Sequence, residues 1–192
     1  MPISQTTREH AARLVAKYPQ PRSALLPLLY VTQADEGYVS DDGIAFCAET
    51  LGLTKAEVQA VATFYEMFER RPVGDWVLTV CLNFSCKVRG AMRVYDRLLE
   101  QVGGHHDDDA GITVKHAECL GNCEDAPVVQ VNYQNYPRCT PESADALVTA
   151  LRAGDPPPAV NGEPPPRFRE VSLRLSGALD HEPARSGGRD GG

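Results

Sequence analysis

Residues 76–86 read Trp-Val-Leu-Thr-Val-Cys-Leu-Asn-Phe-Ser-Cys, an apolar run that leads into two cysteines spaced C-x4-C. The run is rich in β-branched residues and opens on an aromatic one, which predicts a buried strand ending at Cys81. A second pair, Cys119 and Cys123, is spaced C-x3-C and follows the alternating run of residues 112–116. Because open α/β sheets place ligands at the carboxyl ends of their strands, we expect the two pairs to meet.

Four converging thiols, those of Cys81, Cys86, Cys119 and Cys123, suit three kinds of chemistry. Iron–sulfur clusters and structural zinc both take tetrahedral thiolate ligands, and four cysteines also allow disulfides. Zinc knuckles favour C-x2-C turns, whereas both loops here are longer. A [2Fe–2S] cluster spreads four ligands over two irons, so each loop needs to hold only one iron. The spacing therefore favours the cluster and leaves zinc and disulfides as alternatives.

Other candidate ligands are interpreted as structural. Cys47 falls on the apolar stripe of a predicted helix, where a free cysteine packs as a small hydrophobe. Cys139 precedes another predicted helix, and four ligands are complete without it. Residues 105–109, His-His-Asp-Asp-Asp, lack any helical or strand spacing that would bring their side chains together, so they predict an exposed turn. His116 is interpreted as a strand residue and not as a ligand.

Composition limits the class of protein. The chain has 192 residues, which is one or two small domains, and a net charge of −7, which argues against nucleic acid as a partner. No apolar run approaches the roughly 20 residues that cross a bilayer. The first residues lack the basic and apolar regions of a signal peptide, so we expect free thiols in a reducing compartment.

The pattern along the chain predicts an α+β or α/β fold in three parts. Residues 1–73 carry four helical stripes and predict a helical bundle, in which Thr54 and Glu57 form a capping box. Residues 74–154 mix strands and helices and predict a small mixed β-sheet flanked by helices. Residues 155–192 are rich in proline, glycine and charge, which predicts a disordered tail.

Local signals predict further details. Ser23 is a candidate cap for the second helix. Cys86 lies near the start of a helix, where the dipole favours a thiolate. The buried stripe of that helix is predicted to comprise Val88, Ala91, Met92, Tyr95, Leu99 and Val102. Residues 133–137 are predicted as a turn, and Thr140 with Pro141 begins the last helix of the second domain.

Charged residues flank both cysteine loops. Lys87 and Arg89 follow the first loop, and Glu118, Glu124 and Asp125 surround the second. Since reduction adds negative charge to an electron carrier, the two cations are expected to raise its reduction potential and the three acids to lower it.

The order strand, cysteine, helix, strand, cysteine loop, strand, helix resembles the thioredoxin-like [2Fe–2S] ferredoxins. The helical leader ending in residues 63–68, Thr-Phe-Tyr-Glu-Met-Phe, is similar to that of the E-subunit family of respiratory NADH:quinone oxidoreductase, complex I. The resemblance covers roughly residues 5–153. It implies a thioredoxin-like second domain and one [2Fe–2S] cluster ligated by Cys81, Cys86, Cys119 and Cys123.

The resemblance also implies partners. In this family the cluster exchanges electrons with the FMN of a flavoprotein subunit, so FMN and NAD(H) are expected on that partner and not on this chain. Further partners are the other peripheral-arm subunits of complex I. The expected location is cytoplasmic, at the inner face of the plasma membrane and attached to the membrane only through the complex.

Two alternative functions remain at this point. The same module occurs in NAD-linked hydrogenases and formate dehydrogenases, where it forms an equivalent diaphorase subunit. A zinc-stabilised interaction module is the alternative from another class. The sequence has no G-x-G-x-x-G after a strand, so we expect no nucleotide site and no catalysis by the isolated chain.

Overall fold

The computed structural model describes residues 3–109 and 111–179. Its helices are Gln5–Val15 (α1), Leu25–Glu36 (α2), Asp41–Leu51 (α3), Lys55–Phe64 (α4), Phe84–Val88 (α5), Ala91–Val102 (α6), Pro141–Ala153 (α7) and Phe168–Leu175 (α8). Its strands are Trp76–Cys81 (β1), His106–Asp107 (β2), Ile112–Ala117 (β3), Val129–Val131 (β4) and Gln134–Tyr136 (β5). Two 3₁₀ turns, Pro21–Ala24 and Cys123–Asp125, complete the regular structure.

Helices α1 to α4 form the predicted helical bundle. Ser40 caps α3 by accepting a hydrogen bond from the Gly43 N–H at 2.9 Å. The predicted capping box of Thr54 and Glu57 begins α4. Cys47 is fully buried between these helices, as a packing residue should be.

The second part is a five-stranded mixed sheet in the order β2-β3-β1-β4-β5. The central strand β1 is buried along its whole length and runs parallel to β3, with Cys81 opposite Ala117. The other three pairings are antiparallel. Helices α6 and α7 pack together against this sheet. The predicted fold class, a helical bundle followed by a mixed sheet flanked by helices, is confirmed.

Buried apolar side chains form two clusters. One lies among residues 3–68 and the other among residues 76–151, on either side of the predicted boundary near residue 73. Within the described ranges, no helix has the length and apolar character needed to span a membrane.

The predicted single helix after Cys86 is wrong. Gly90, with a φ of +97°, breaks it into α5 and α6. The break rotates the second piece, so that Val94 and Leu98 enter the core while Val88 is exposed. A left-handed backbone is favourable for glycine, and apolar spacing alone does not reveal such a break.

Three other local predictions are also corrected. Ser23 lies in a 3₁₀ turn, and α2 begins after Ala24 without a side-chain cap. Residues 105–109 are not a simple turn, because their middle forms β2, paired with β3. Residues 133–137 contain β5, and the preceding turn is tightened at Asn132 and Tyr133, which adopt positive φ.

The predicted disordered tail is wrong for residues 155–179. Helix α8 forms there, buries Phe168, Val171 and Ser172, and packs along α2. Residues 180–192, the remainder of the predicted tail, lie outside the described residues.

Candidate metal centre

The first cysteine loop is held inside the fold. Cys81 is the last residue of β1, and its N–H donates to the carbonyl of Val128 at 3.1 Å. Asn83 then caps α5 by accepting a hydrogen bond from the Phe84 N–H at 2.6 Å. The short helix turns the chain back on itself, so that Cys86 is buried beside Cys81. The two residues are 2% and 3% exposed, respectively.

Burial raises the pKa of the Cys86 thiol to about 11, and a hydrogen bond with Cys81 also raises this pKa. Charge repulsion from Cys81 and Cys123 acts in the same direction, while a backbone hydrogen bond with Val128 opposes it. The expectation that the helix start would favour a Cys86 thiolate is therefore wrong for the free thiol, because burial disfavours its charged form. The repulsion from Cys123 also means that the first loop lies close to the second.

The second cysteine loop is open to solvent. Cys119 and Cys123 are both exposed, in contrast to the first pair. Gly121 adopts a φ of +74°, and its N–H donates to the Cys119 Sγ at 3.4 Å. An added Cβ at Gly121 would meet nothing within 4 Å, so glycine is required here for its backbone conformation and not for space.

Backbone contacts anchor the second loop to the rest of the domain. The Cys81 Sγ lies 3.9 Å from the carbonyl oxygen of Glu118. Arg138 donates its backbone N–H to the Asp125 carbonyl at 2.7 Å, and its guanidinium pairs with the Asp125 carboxylate at 2.6 Å. Sequence reasoning missed Arg138, because the strands β4 and β5 and the turn between them separate it from Asp125. Its charge offsets one of the three acids expected to lower the reduction potential.

Two exposed apolar side chains flank Cys86 on α5. Phe84 is 76% exposed and Val88 is 67% exposed. The predicted helical stripe placed Val88 inward, and the helix break at Gly90 explains why it points outward instead. The surface beside the buried cysteine pair therefore combines these two apolar side chains with the exposed cations Lys87 and Arg89.

The remaining cysteines lie elsewhere. Cys47 belongs to the bundle core, and burial raises the pKa of its thiol to about 12. Cys139 is buried just before α7, with its Sγ 3.3 Å from the Ser143 hydroxyl, and burial raises its pKa as well. None of the six cysteines forms a disulfide.

Each cysteine loop offers one pair of thiols. The structure does not bring the two pairs together as a single-ion site, since among the described side chains no group of three or more His, Cys, Asp or Glu is arranged so that it could hold one metal ion. Structural zinc needs four ligands on one ion, whereas each iron of a [2Fe–2S] cluster takes two thiolates and two bridging sulfides. Two loops that each offer a pair of thiols can supply the two thiolates that each iron needs.

Comparison with known families agrees with this chemistry. The sequence profile of the family described as thioredoxin-like [2Fe–2S] ferredoxin matches residues 11–152. The chain belongs to this family. A [2Fe–2S] cluster is therefore the cofactor of this thioredoxin-like ferredoxin, and the predicted thioredoxin-like fold and cofactor are confirmed.

Curated relatives of this ferredoxin-family chain include proteins named as subunits of NADH-quinone oxidoreductase. It is 44% identical over 184 residues to the E-subunit of the NADH-quinone oxidoreductase of Mycobacterium tuberculosis, an alignment that covers 94% of this chain and 73% of the relative. It is 41% identical over 145 residues to the NADH-quinone oxidoreductase subunit 2 of Thermus thermophilus, covering 72% of this chain and 80% of the relative.

A solved structure shares the fold. An NAD+-reducing [NiFe]-hydrogenase chain aligns with a TM-score of 0.60 and 22% identity over 69% of the present chain. The present chain spans only 23% of that hydrogenase chain. At this identity, the likeness concerns the fold alone.

Proposed function

We propose that this chain is the electron-transfer subunit of an NADH-quinone oxidoreductase. One [2Fe–2S] cluster, ligated by Cys81, Cys86, Cys119 and Cys123, exchanges electrons with the FMN of a partner flavoprotein subunit. The observation that carries the proposal is the position of these two cysteine pairs. They lie at or just beyond the carboxyl ends of the neighbouring parallel strands β1 and β3, in a chain whose relatives are named as subunits of that complex.

The chain's own residues would bind and tune the cofactor. When bound, the cluster supplies one-electron chemistry and gains negative charge on reduction. The Gly121 N–H, which points at the Cys119 Sγ, offsets part of that charge. Lys87 and Arg89 on and beside α5 act in the same direction, while Glu118 and Glu124 oppose it. The buried first pair limits the access of water to one side of the site.

The partner is the NADH- and FMN-binding flavoprotein of the complex. Electron transfer between two cofactors weakens steeply with distance, so a partner must dock close to the cluster loops. The exposed thiols of Cys119 and Cys123 and the apolar side chains of Phe84 and Val88 provide such a surface. The other peripheral-arm subunits are further partners, and the chain is held cytoplasmically at the inner face of the plasma membrane through the complex. A role in an NAD-reducing hydrogenase is supported only by fold likeness.

The experiment is anaerobic purification of the full chain with analysis of iron and acid-labile sulfide. We expect about two irons and two sulfides per chain and an EPR signal on reduction, in line with one binuclear cluster. The chain alone should not oxidise NADH, and it should be reduced by NADH once the flavoprotein subunit is added.

Serine variants test the ligand assignment. Cys81→Ser and Cys119→Ser should each lose most of the bound iron or change the EPR signal, because each removes one thiolate. Cys139→Ser is the matched control and should retain both iron and signal. Zinc in place of iron, a cluster that needs Cys139, or NADH oxidation by the isolated chain would each contradict the proposal.

A further inference from the structure

Residues 156–177, which we name the C-terminal strap, run from the sheet to the helical bundle. The strap first follows the edge strand β5. There the Val160 N–H donates to the Asn135 carbonyl at 3.1 Å, and the Tyr136 hydroxyl donates to the Pro157 carbonyl at 2.6 Å. The strap therefore begins as an addition to the sheet domain.

A single buried amide joins the middle of the strap to the sheet. Asn132 adopts a left-handed φ of +46°, and its Oδ1 accepts from the Val77 N–H at 2.8 Å. Its Nδ2 donates to the carbonyls of Asp75 at 2.7 Å and Pro166 at 2.9 Å. The Phe168 N–H also donates to the Asp75 carbonyl at 2.9 Å. The start of β1, the β4–β5 turn and the strap are thus fixed to one another.

A second buried amide joins the strap to the bundle. Gln33 of α2 is fully buried, and its Nε2 donates to the Ser172 hydroxyl at 3.2 Å and to the Met67 carbonyl at 3.1 Å. Its Oε1 accepts from the Glu69 N–H at 2.8 Å. Gln33 therefore holds both the strap and the start of residues 69–75, the link between the two parts of the chain.

The strap also closes the carboxyl end of α2. The Arg169 guanidinium donates to the carbonyls of Asp35 at 2.6 Å and Glu36 at 3.1 Å. These carbonyls belong to the last turn of α2, where a cation is favourable for both the free acceptors and the helix dipole. Beyond α8, the Lys17 Nζ donates to the Gly177 carbonyl at 3.0 Å.

Apart from the strap, the bundle and the sheet make few direct contacts with each other. Among the elements that the structure describes, α2 and α8 pack extensively along each other, while none of α1 to α4 packs comparably on a strand or on α5 to α7. The other polar ties are few: Tyr133 donates to the Met67 carbonyl at 3.0 Å and also hydrogen-bonds with the Gln33 side chain of α2, and Lys115 pairs with Glu69. Without the strap, the two parts would be joined by the link and by these contacts of Tyr133 and Lys115.

We propose that the C-terminal strap fixes the orientation of the helical bundle relative to the cluster-bearing sheet. Its first half is hydrogen-bonded to the sheet, its second half is buried against α2, and its middle is bonded to Asp75, just before β1, and to Asn132 of the β4–β5 turn. This makes the segment an interdomain clamp. Both parts of the chain are then presented to any partner in one fixed arrangement.

Two variants of the full chain test the strap by hydrogen–deuterium exchange. Phe168→Ala removes its largest buried side chain, and we expect exchange in the link to rise by about tenfold or more, since such a loss destabilises local packing strongly. Arg169→Ala removes only the two bonds to α2, and a rise of roughly three- to tenfold is expected. Arg174→Ala is the matched control, because the ion pair of Arg174 with Glu170 lies within α8, and exchange should not change.

Comparing exchange in β1 with exchange in the link distinguishes a loosened strap from a general loss of stability. Exchange in β1 and the visible absorption of the cluster should stay at their original levels in the Arg169→Ala chain. Unchanged exchange in the link for both test variants would overturn the proposal. An equal rise in β1 and in the link for Arg169→Ala would overturn it as well, because the strap would then support the whole fold and not the arrangement of its parts.

Discussion

The two cysteine loops reach the same end of the sheet in different ways. The first is built into the fold: Cys81 ends the central strand, Asn83 caps the next helix, and Cys86 is buried. The second, carrying Cys119 and Cys123, is exposed and is shaped by a glycine with positive φ. The difference indicates that packing holds the first loop in place, whereas the second loop depends on its own turn and on a few surface contacts.

Cys47 provides a reference for this comparison. It is as deeply buried as the first cysteine pair, but it lies in the bundle core among apolar side chains. Its thiol serves packing, while that of Cys86 lies beside Cys81 and near Cys123. Burial alone therefore does not distinguish a ligand from a core residue; the neighbouring thiols do.

Alkylation rates should show the largest contrast between the loops. In a chain stripped of its cluster, we expect iodoacetamide to modify Cys86 on the order of 100-fold more slowly than Cys119 at pH 8. With a pKa of about 11, only about one Cys86 thiol in a thousand is ionised at that pH, and burial restricts access further. Peptide mass spectrometry over time measures both rates. Urea-unfolded chain is the control, in which the rates should converge; equal rates in the folded chain would show that packing does not hold the first loop in place.

The pH dependence of stability tests whether the Cys47 thiol is held neutral in the core of the bundle. The pKa of Cys47 is raised to about 12 in the fold, while an unfolded thiol ionises near about 8.5. Between these values the unfolded state binds fewer protons, so the free energy of unfolding falls as pH rises. Between pH 8 and pH 10, ionisation of Cys47 in the unfolded chain should lower the free energy of unfolding by about 2 kcal/mol. The Cys47→Ala chain should not show this decrease.

Urea denaturation followed by helical circular dichroism at the two pH values gives the comparison. Both chains also contain the other titrating groups, so only the difference between their pH slopes is assigned to Cys47. Parallel slopes would mean that the Cys47 thiol ionises as readily in the folded bundle as in the unfolded chain.

Signals that act over a few residues were predicted well. The capping box of Thr54 and Glu57 and the helix start at Thr140 and Pro141 depend on contacts within one turn, and both are present. The strand that ends at Cys81 was also recognised, because a run of β-branched residues indicates burial without reference to a partner.

Features that depend on distant partners were missed. Phe168 and Ser172 lie in a stretch whose average composition indicates disorder, yet their partners, Tyr133 and Gln33, are far away in the sequence. Arg138 was missed for the same reason. At the metal centre, the sequence and the family resemblance predicted the cofactor and nominated the four cysteines, but not the contrast in burial between their loops. That contrast comes from the cap on α5 and the break at Gly90.

The smallest effect concerns the shape of the second loop. Gly121→Ala introduces no clash, so its cost is that of a left-handed alanine, about 1 kcal/mol. If the left-handed turn helps to hold the cluster, that cost should speed the release of iron to a chelator by about fivefold. Gly121→Asn should release iron more slowly than Gly121→Ala, because asparagine tolerates positive φ better.

Gly52→Ala is the control in the bundle. Gly52 also has a positive φ and free space around it, so alanine there should lower the stability of the bundle by a similar amount without changing iron release. If Gly121→Ala leaves the rate of iron release unchanged, the left-handed turn does not contribute to holding the cluster. The exposed loop would then act only as a tether for Cys119 and Cys123, and retention of the cluster would depend on the buried first pair.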